Sequence, residues 1–195
     1  MPAFQSPLPT RGEDLPWLWL FTDARAQARL DGAITALPPG SGIVFRHYHL
    51  PEAERRALFT NLMQRHAAAD RIWLWSGNAR TAQALDADGV YAPAHGPQAG
   101  PVALRRGLWL AAVHDLAELA MAARRGADAV FISPVYPTRS HPGAATLGPM
   151  RFAAIARLAR CPVYALGGVT HANHARLARF SSGWGAIDGL SERGG

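Results

Sequence analysis

Short apolar runs alternate along the chain with longer stretches rich in Ala, Arg and Leu. The runs fall at 17–21, 42–46, 71–75, 89–92, 108–113, 129–133, 162–166 and 184–187. Each is nearly continuous in Val, Ile, Leu, Ala and aromatic residues, as expected of strands buried on both faces of a parallel sheet. Helical stretches are predicted between them at 25–37, 51–69, 79–85, 115–125, 151–160 and 174–180. Pro38, Pro39 and Gly40 break the first of these, and Pro51 suits the opening turn of the second. Gly126 stands where a glycine ends the fourth. Strand–helix alternation assigns the chain to the α/β class with a parallel sheet. Eight repeats favour a closed (β/α)8 TIM barrel over an open doubly wound sheet.

The barrel is expected to be compact, since the chain has 195 residues where such folds typically need about 250. Residues 1–16 read as a polar, proline-containing arm and 17–195 as a single barrel domain. Only residues 190–195 remain beyond the last run and its Asp188-Gly189 pair. The last outer helix is therefore expected to be truncated or missing, with that wall covered by the arm or by a partner subunit. A homodimer follows as one expectation. Residues 93–101 and 134–149 read as loops, the second too long and polar for a plain connection.

Composition narrows the function classes. Hydrophobic residues make up 49% of the chain and charged ones 17%, which supports a packed core and argues against disorder. The net charge is +6, and all 20 basic residues are Arg, because the sequence has no Lys. A side-chain Schiff base cannot form, so aldolases using a lysine imine are excluded. The arginines are scattered rather than interleaved with aromatics, which points away from nucleic acid and toward an anionic small molecule. Cys161 is the only cysteine, which fits a reducing compartment. The N-terminus lacks a signal-peptide pattern and no apolar run is long enough to span a membrane, so a soluble cytoplasmic protein without a membrane partner is expected.

Active sites of such barrels gather at the C-terminal ends of the strands. Gly167 and Gly168 follow the seventh run and precede a predicted helix, where exposed N–H groups bind an anion. Thr138, Arg139, Ser140 and His141, in the loop that begins at Ser133 after the sixth run, supply further phosphate donors, while Asp188 after the eighth run would repel phosphate unless its carboxylate points away. His114 is a candidate general base, with Asp115 as the cap of the following helix. Arg46 is a candidate at the second strand, and an outward orientation is left open for His47 beside it. No HxxxH pair occurs and carboxylates are few, so no metal ligand is assigned.

These residues together resemble the thiamine phosphate synthase/TenI family. Residues 126–138, GADAVFISPVYPT, are similar to the family's GAD…GPVFPT segment, and Leu147-Gly148 to the LG that follows it. Residues 162–169, PVYALGGV, resemble its PVxAIGGI. Weaker similarities lie in residues 20–23 to VTD, 87–90 to ADGVH, and His114 to S-x-H. The resemblance implies a barrel that joins hydroxymethylpyrimidine diphosphate to thiazole phosphate, releasing pyrophosphate with Mg²⁺. TenI relatives instead isomerise the thiazole. By residue match, Thr138 and Ser140 would hold the thiazole phosphate with Gly168 and the backbone near Ile187 and Asp188. Arg46 matches the arginine of the family's Gln-x-Arg-x-Lys, but Val44 and Tyr48 replace its Gln and Lys. Ser76-Gly77 stands where the family has Asn-Asp, and Gly96 falls near its second acidic ligand, so the carboxylates expected for Mg²⁺ are absent. The catalytic His of TenI proteins is Ser133 or Pro134 here. Three readings follow: a divergent synthase, an isomerase using His114 or a loop His, and a non-catalytic binder. The expected partner is thiazole phosphate, pyrimidine diphosphate or thiamine phosphate.

Overall fold

Eight apolar runs can bury both faces only if they pair with one another and helices cover the outside. The computed structural model, which describes residues 15–95, 107–140, 142–187 and 190, has this arrangement. Its strands are β1 Leu18–Phe21, β2 Gly42–Phe45, β3 Ile72–Ser76, β4 Gly89–Pro93, β5 Leu108–Val113, β6 Ala129–Ile132, β7 Val163–Ala165 and β8 Gly183–Ala186. They close into a barrel in sequence order, β1 pairing with both β2 and β8, and every pair is parallel.

Successive side chains of a strand alternate between faces, which splits the core in two. Trp19, Phe21, Val44, Leu74, Leu110, Phe131, Tyr164 and Leu166 fill the interior. Leu18, Leu20, Ile43, Phe45, Trp73, Trp75 and Val130 face the helices. Glycines make the interior fit. A Cβ on Gly42 would lie 2.1 Å from the Trp19 ring, and one on Gly185 would lie 2.6 Å from Phe21. Trp19, Phe21, Phe131 and Tyr164 meet mostly edge to face in the space so left, with Trp19–Phe131 at 5.7 Å and Phe21–Phe131 at 4.9 Å.

The helices are α1 Leu30–Thr35, α2 Glu52–Arg65, α3 Ala79–Ala84, α4 Leu116–Arg124 and α5 Gly148–Ala156. Three differ from the sequence reading. The stretch expected at 25–37 opens as a 3-10 segment, Ala24–Arg29, that buries no residue; a packing face begins only at Leu30. The helix expected at 151–160 begins earlier, at Gly148, because Pro149 fits a first turn that needs no N–H there. The helix expected at 174–180 is a 3-10 turn, His174–Arg176. Upstream, Asn173 accepts from Thr170 N at 2.9 Å and donates to Gly168 O at 2.9 Å, which ties the chain into a tight local turn.

That turn covers the outer face of β8. His174 stacks on Trp184 at 5.4 Å and His171 meets the same ring edge-on at 5.0 Å. The expectations about the eighth outer helix and most of the N-terminal arm fall on residues outside those described.

Candidate functional site

Strand parity sets what reaches the mouth of the barrel. The interior positions Gly42 and Val44 lead to Arg46, Leu110 and Ala112 to His114, and Ala129 and Phe131 to Ser133. These side chains, with Tyr91 from β4, line a cavity of about 600 Å³ at the C-terminal end of the barrel. Of the residues predicted from sequence, Arg46, His114, Ser133, Thr138, Arg139, Ser140, Gly167, Gly168 and Ile187 all line it. His141 and Asp188 lie outside the described residues. None of the described lining residues is Asp or Glu, whereas Arg46 and Arg139 are both present, so the described wall favours an anion.

The loops after β6 and β7 form one side. Val135 N donates to Leu166 O and Tyr136 N to Gly167 O, each at 2.9 Å, so the first loop runs along the second. Gly167 and Gly168 have φ of 86° and 63°. A Cβ would lie 2.7 Å from Pro134 Cα at Gly167 and 2.3 Å from Pro137 O at Gly168. These glycines are therefore required by the contact of two backbones as well as by their own conformation. The helix expected after them is a 3-10 turn, so no helix dipole stands behind the pair. Hydroxyls remain. Ser140 N donates to Thr138 Oγ1 at 3.2 Å, and Arg25 Nη2 donates to Ser140 Oγ at 3.0 Å. Each hydroxyl oxygen accepts in these bonds, leaving its own proton to donate.

Opposite, Asp23 joins two arginines. Its carboxylate accepts from Arg25 Nε at 2.8 Å and Arg46 Nη2 at 2.9 Å. Arg46 Nε also donates to Thr22 O at 3.0 Å, and its guanidinium lies 5.8 Å from the Phe21 ring centre. Burial pushes the Asp23 pKa up, but hydrogen bonds from Arg25 and the charges of Arg25 and Arg46 outweigh it and hold the carboxyl below its usual value. His47 lies on the helix-facing side of the barrel beside Phe45, away from the cavity lining, and is buried there. Its φ of 37° turns the ring into the protein, where it is 1% exposed and stacks on Phe45 at 4.8 Å. Its Nδ1 lies 2.9 Å from Thr22 Oγ1, which also accepts from Arg46 N.

His114 stands on the third side. Glu118 accepts from His114 N at 2.7 Å and pairs with its Nδ1 at 2.8 Å, while His95 Nδ1 is 3.6 Å from the other carboxylate oxygen. Asp115 caps α4, accepting from Glu118 N at 2.8 Å. The carboxylate fixes one ring nitrogen of His114 and leaves Nε2 to exchange a proton.

The ends of β2 and β3 hold a buried cation. Arg55 of α2 is 7% exposed. It donates to Arg46 O at 2.5 Å, Ser76 O at 2.6 Å and Phe45 O at 3.4 Å. Its guanidinium stacks 3.8 Å from the Trp75 ring centre, with Tyr48 at 4.9 Å, and the Tyr48 hydroxyl pairs with Ser76 Oγ. These donors do not suit Mg²⁺, which takes oxygen ligands including carboxylates. No Asp or Glu occurs at 71–85 or 89–114. Among the described residues no group of three His, Cys, Asp or Glu could hold a metal.

Sequence reasoning missed Arg25, Arg55, Tyr91 and Glu118 as parts of this region. Glu118 was legible from its spacing of four from His114, and Tyr91 from the inward parity of β4. Arg55 gave no signal, being one of many helical arginines.

The chain matches the family model described as thiamine monophosphate synthase over residues 18–187. It is 27% identical over 180 residues to a thiamine-phosphate synthase of Pyrococcus furiosus, covering 89% of this chain and 83% of that one. It is 36% identical over 104 residues to a thiamine-phosphate synthase of Chloroflexus aurantiacus, covering 50% of this chain and 47% of the relative. Among solved structures, thiamine phosphate pyrophosphorylase from Pyrococcus furiosus superposes with a TM-score of 0.73 at 23% identity, covering 90% of this chain and 86% of that one. That likeness establishes the shared barrel. No helix among the described residues is long and apolar enough to cross a membrane.

Proposed function

Because the chain belongs to the thiamine monophosphate synthase family, we propose that it joins the two phosphorylated precursors of thiamine phosphate at the mouth of its barrel. The observation that carries this reading is the one cavity shared by the family-matched loops after β6 and β7 and by Arg46, with two arginines and no carboxylate among its described lining residues. Thr138 and Ser140, with backbone at Gly168, take the thiazole phosphate. Ser133, Gly167 and Ile187 shape that end, and His141 and Asp188 border it in sequence. Arg46 and Arg139 face the diphosphate of the pyrimidine. The thiazole nitrogen attacks the pyrimidine methylene carbon, the C–N bond forms as the C–O bond breaks, and the electron pair leaves with pyrophosphate. Arginine at the leaving group offsets the charge that develops there. The reading extends to a cytoplasmic protein and to a homodimer.

The test is to mix purified protein with hydroxymethylpyrimidine diphosphate and thiazole phosphate and measure thiamine phosphate by fluorescence after oxidation. Product is expected; none across a range of Mg²⁺ concentrations, including none added, ends the proposal. A second reading, isomerisation of the phosphorylated thiazole, is favoured by one observation, the Glu118 carboxylate on His114 Nδ1. It makes His114 the base, and unchanged isomerisation in His114→Ala would remove it from that role.

A further inference from the structure

The corner where β1, β2 and β3 end carries three guanidiniums, Arg25, Arg46 and Arg55, against two carboxylates, Asp23 and Glu52. The backbone oxygens that could coordinate a hard cation there are already bound. Arg55 donates to the carbonyls of Phe45, Arg46 and Ser76, and Arg46 to that of Thr22. The two hydroxyls nearest, Tyr48 and Ser76, are paired with each other. A divalent cation entering this corner would have to displace a buried arginine and then sit beside another. Mutual repulsion and the loss of oxygen donors both oppose it.

An anion meets the reverse situation. Arg46 lines the cavity and has five N–H donors. Its bonds to Thr22 O and Asp23 Oδ2 fix the plane of the guanidinium while engaging, among the described residues, Nε and Nη2 alone. Arg139 enters the same lining from the loop after β6. Asp23 also grips Arg25, which reaches Ser140, so the β1 end and that loop are joined through one carboxylate.

We infer that this end of the cavity binds a pyrophosphate-like group without a divalent cation, its counter-charge being supplied by fixed guanidiniums, Arg46 foremost. Arg55 acts as a positioning residue: it occupies the strand-end carbonyls and holds the backbone from which Arg46 projects. The inference rests on the proposed function for the identity of the natural ligand.

Isothermal titration of the full chain with inorganic pyrophosphate tests it, once in EDTA and once in excess Mg²⁺, with free pyrophosphate corrected for its magnesium complex. Binding is expected in EDTA, with the affinity for free pyrophosphate changed less than about threefold by Mg²⁺. Arg46→Gln should weaken it about tenfold or more, as loss of charge-assisted hydrogen bonds does. Arg139→Gln, on an exposed loop position, gives an independent measure should the Arg46 variant fold poorly, and should weaken binding in the same sense. Binding only in Mg²⁺, or no binding in either buffer, overturns the inference. The two proposals fail separately. Pyrophosphate bound in EDTA without thiamine phosphate synthesis removes the reaction and keeps the site. Synthesis with pyrophosphate bound only through Mg²⁺ does the opposite.

Discussion

Lowering the pH from 7 to 5 should strip stability from this protein through one imidazole. His47 is 1% exposed, stacked on Phe45, with Nδ1 on Thr22 Oγ1. Burial lowers its pKa from 6.5 to about 4, helped by the neighbouring charges of His49, Arg55 and Arg46 and opposed by Asp23. Between those two values the unfolded chain takes up a proton that the native state refuses, so stability falls as pH falls through this window. At 1.36 kcal/mol per unit the full effect, reached below the folded value, is about 3 kcal/mol. At pH 5 roughly 2 kcal/mol of it is already expressed. The assay is urea unfolding at pH 7 and pH 5 for the wild type and for His47→Asn. Asn is chosen because it tolerates the left-handed backbone of this position. The wild type should lose about 2 kcal/mol more than the variant between the two pH values. Equal losses would refute the reasoning, showing that His47 titrates as it does in the unfolded chain.

Other expectations follow from the same geometry. Gly168→Ala imposes a left-handed Ala, costing about 1–2 kcal/mol, and drives Cβ toward Pro137 O; melting temperature and pyrophosphate affinity should both drop, and a variant unchanged in both contradicts the loop contact. Arg55→Met leaves the carbonyls of Arg46, Phe45 and Ser76 without their donor, and should cost at least about 3 kcal/mol in urea unfolding; a loss under about 1 kcal/mol would show that the arginine is dispensable to the corner. Asp23 has a lowered pKa, so its stabilising contribution is present above the unfolded carboxylate range and is lost as pH falls through its folded value. Asp23→Asn should remove that acid-side dependence, read as stability measured from pH 5 down to pH 2.

The alternation of apolar runs was enough to place all eight strands, because strands buried on both faces leave a continuous signal. The glycines of the β7 loop were legible for the same reason that they are needed, since no other residue suits their backbone. Helix geometry was less legible. Residues 25–37 and 174–180 have helical composition, yet an Asp23 cap with no buried face before Leu30, and the Asn173 side-chain bonds, give 3-10 turns at Ala24–Arg29 and His174–Arg176, with an α-helix only from Leu30. Composition does not encode which local side chain will compete for a backbone group. The burial of His47 was not legible, because its positive φ and the packing around it leave no pattern in the sequence. Arg55 was invisible because its partners are carbonyls from two strands, and carbonyls have no sequence signature.

The interior of the barrel is filled unevenly. Trp19, Phe21 and Phe131 carry the bulk, and Gly42 and Gly185 surrender the space. The barrel thus behaves as a vessel of fixed volume, in which a gain on one strand must be matched by a loss on its neighbour. Substitutions at Gly42 should be accepted only in backgrounds where Trp19 has already shrunk. Homologous chains would then move between solutions in paired steps, with each single step selected against. The floor on which the ligand cavity rests would consequently be slow to change.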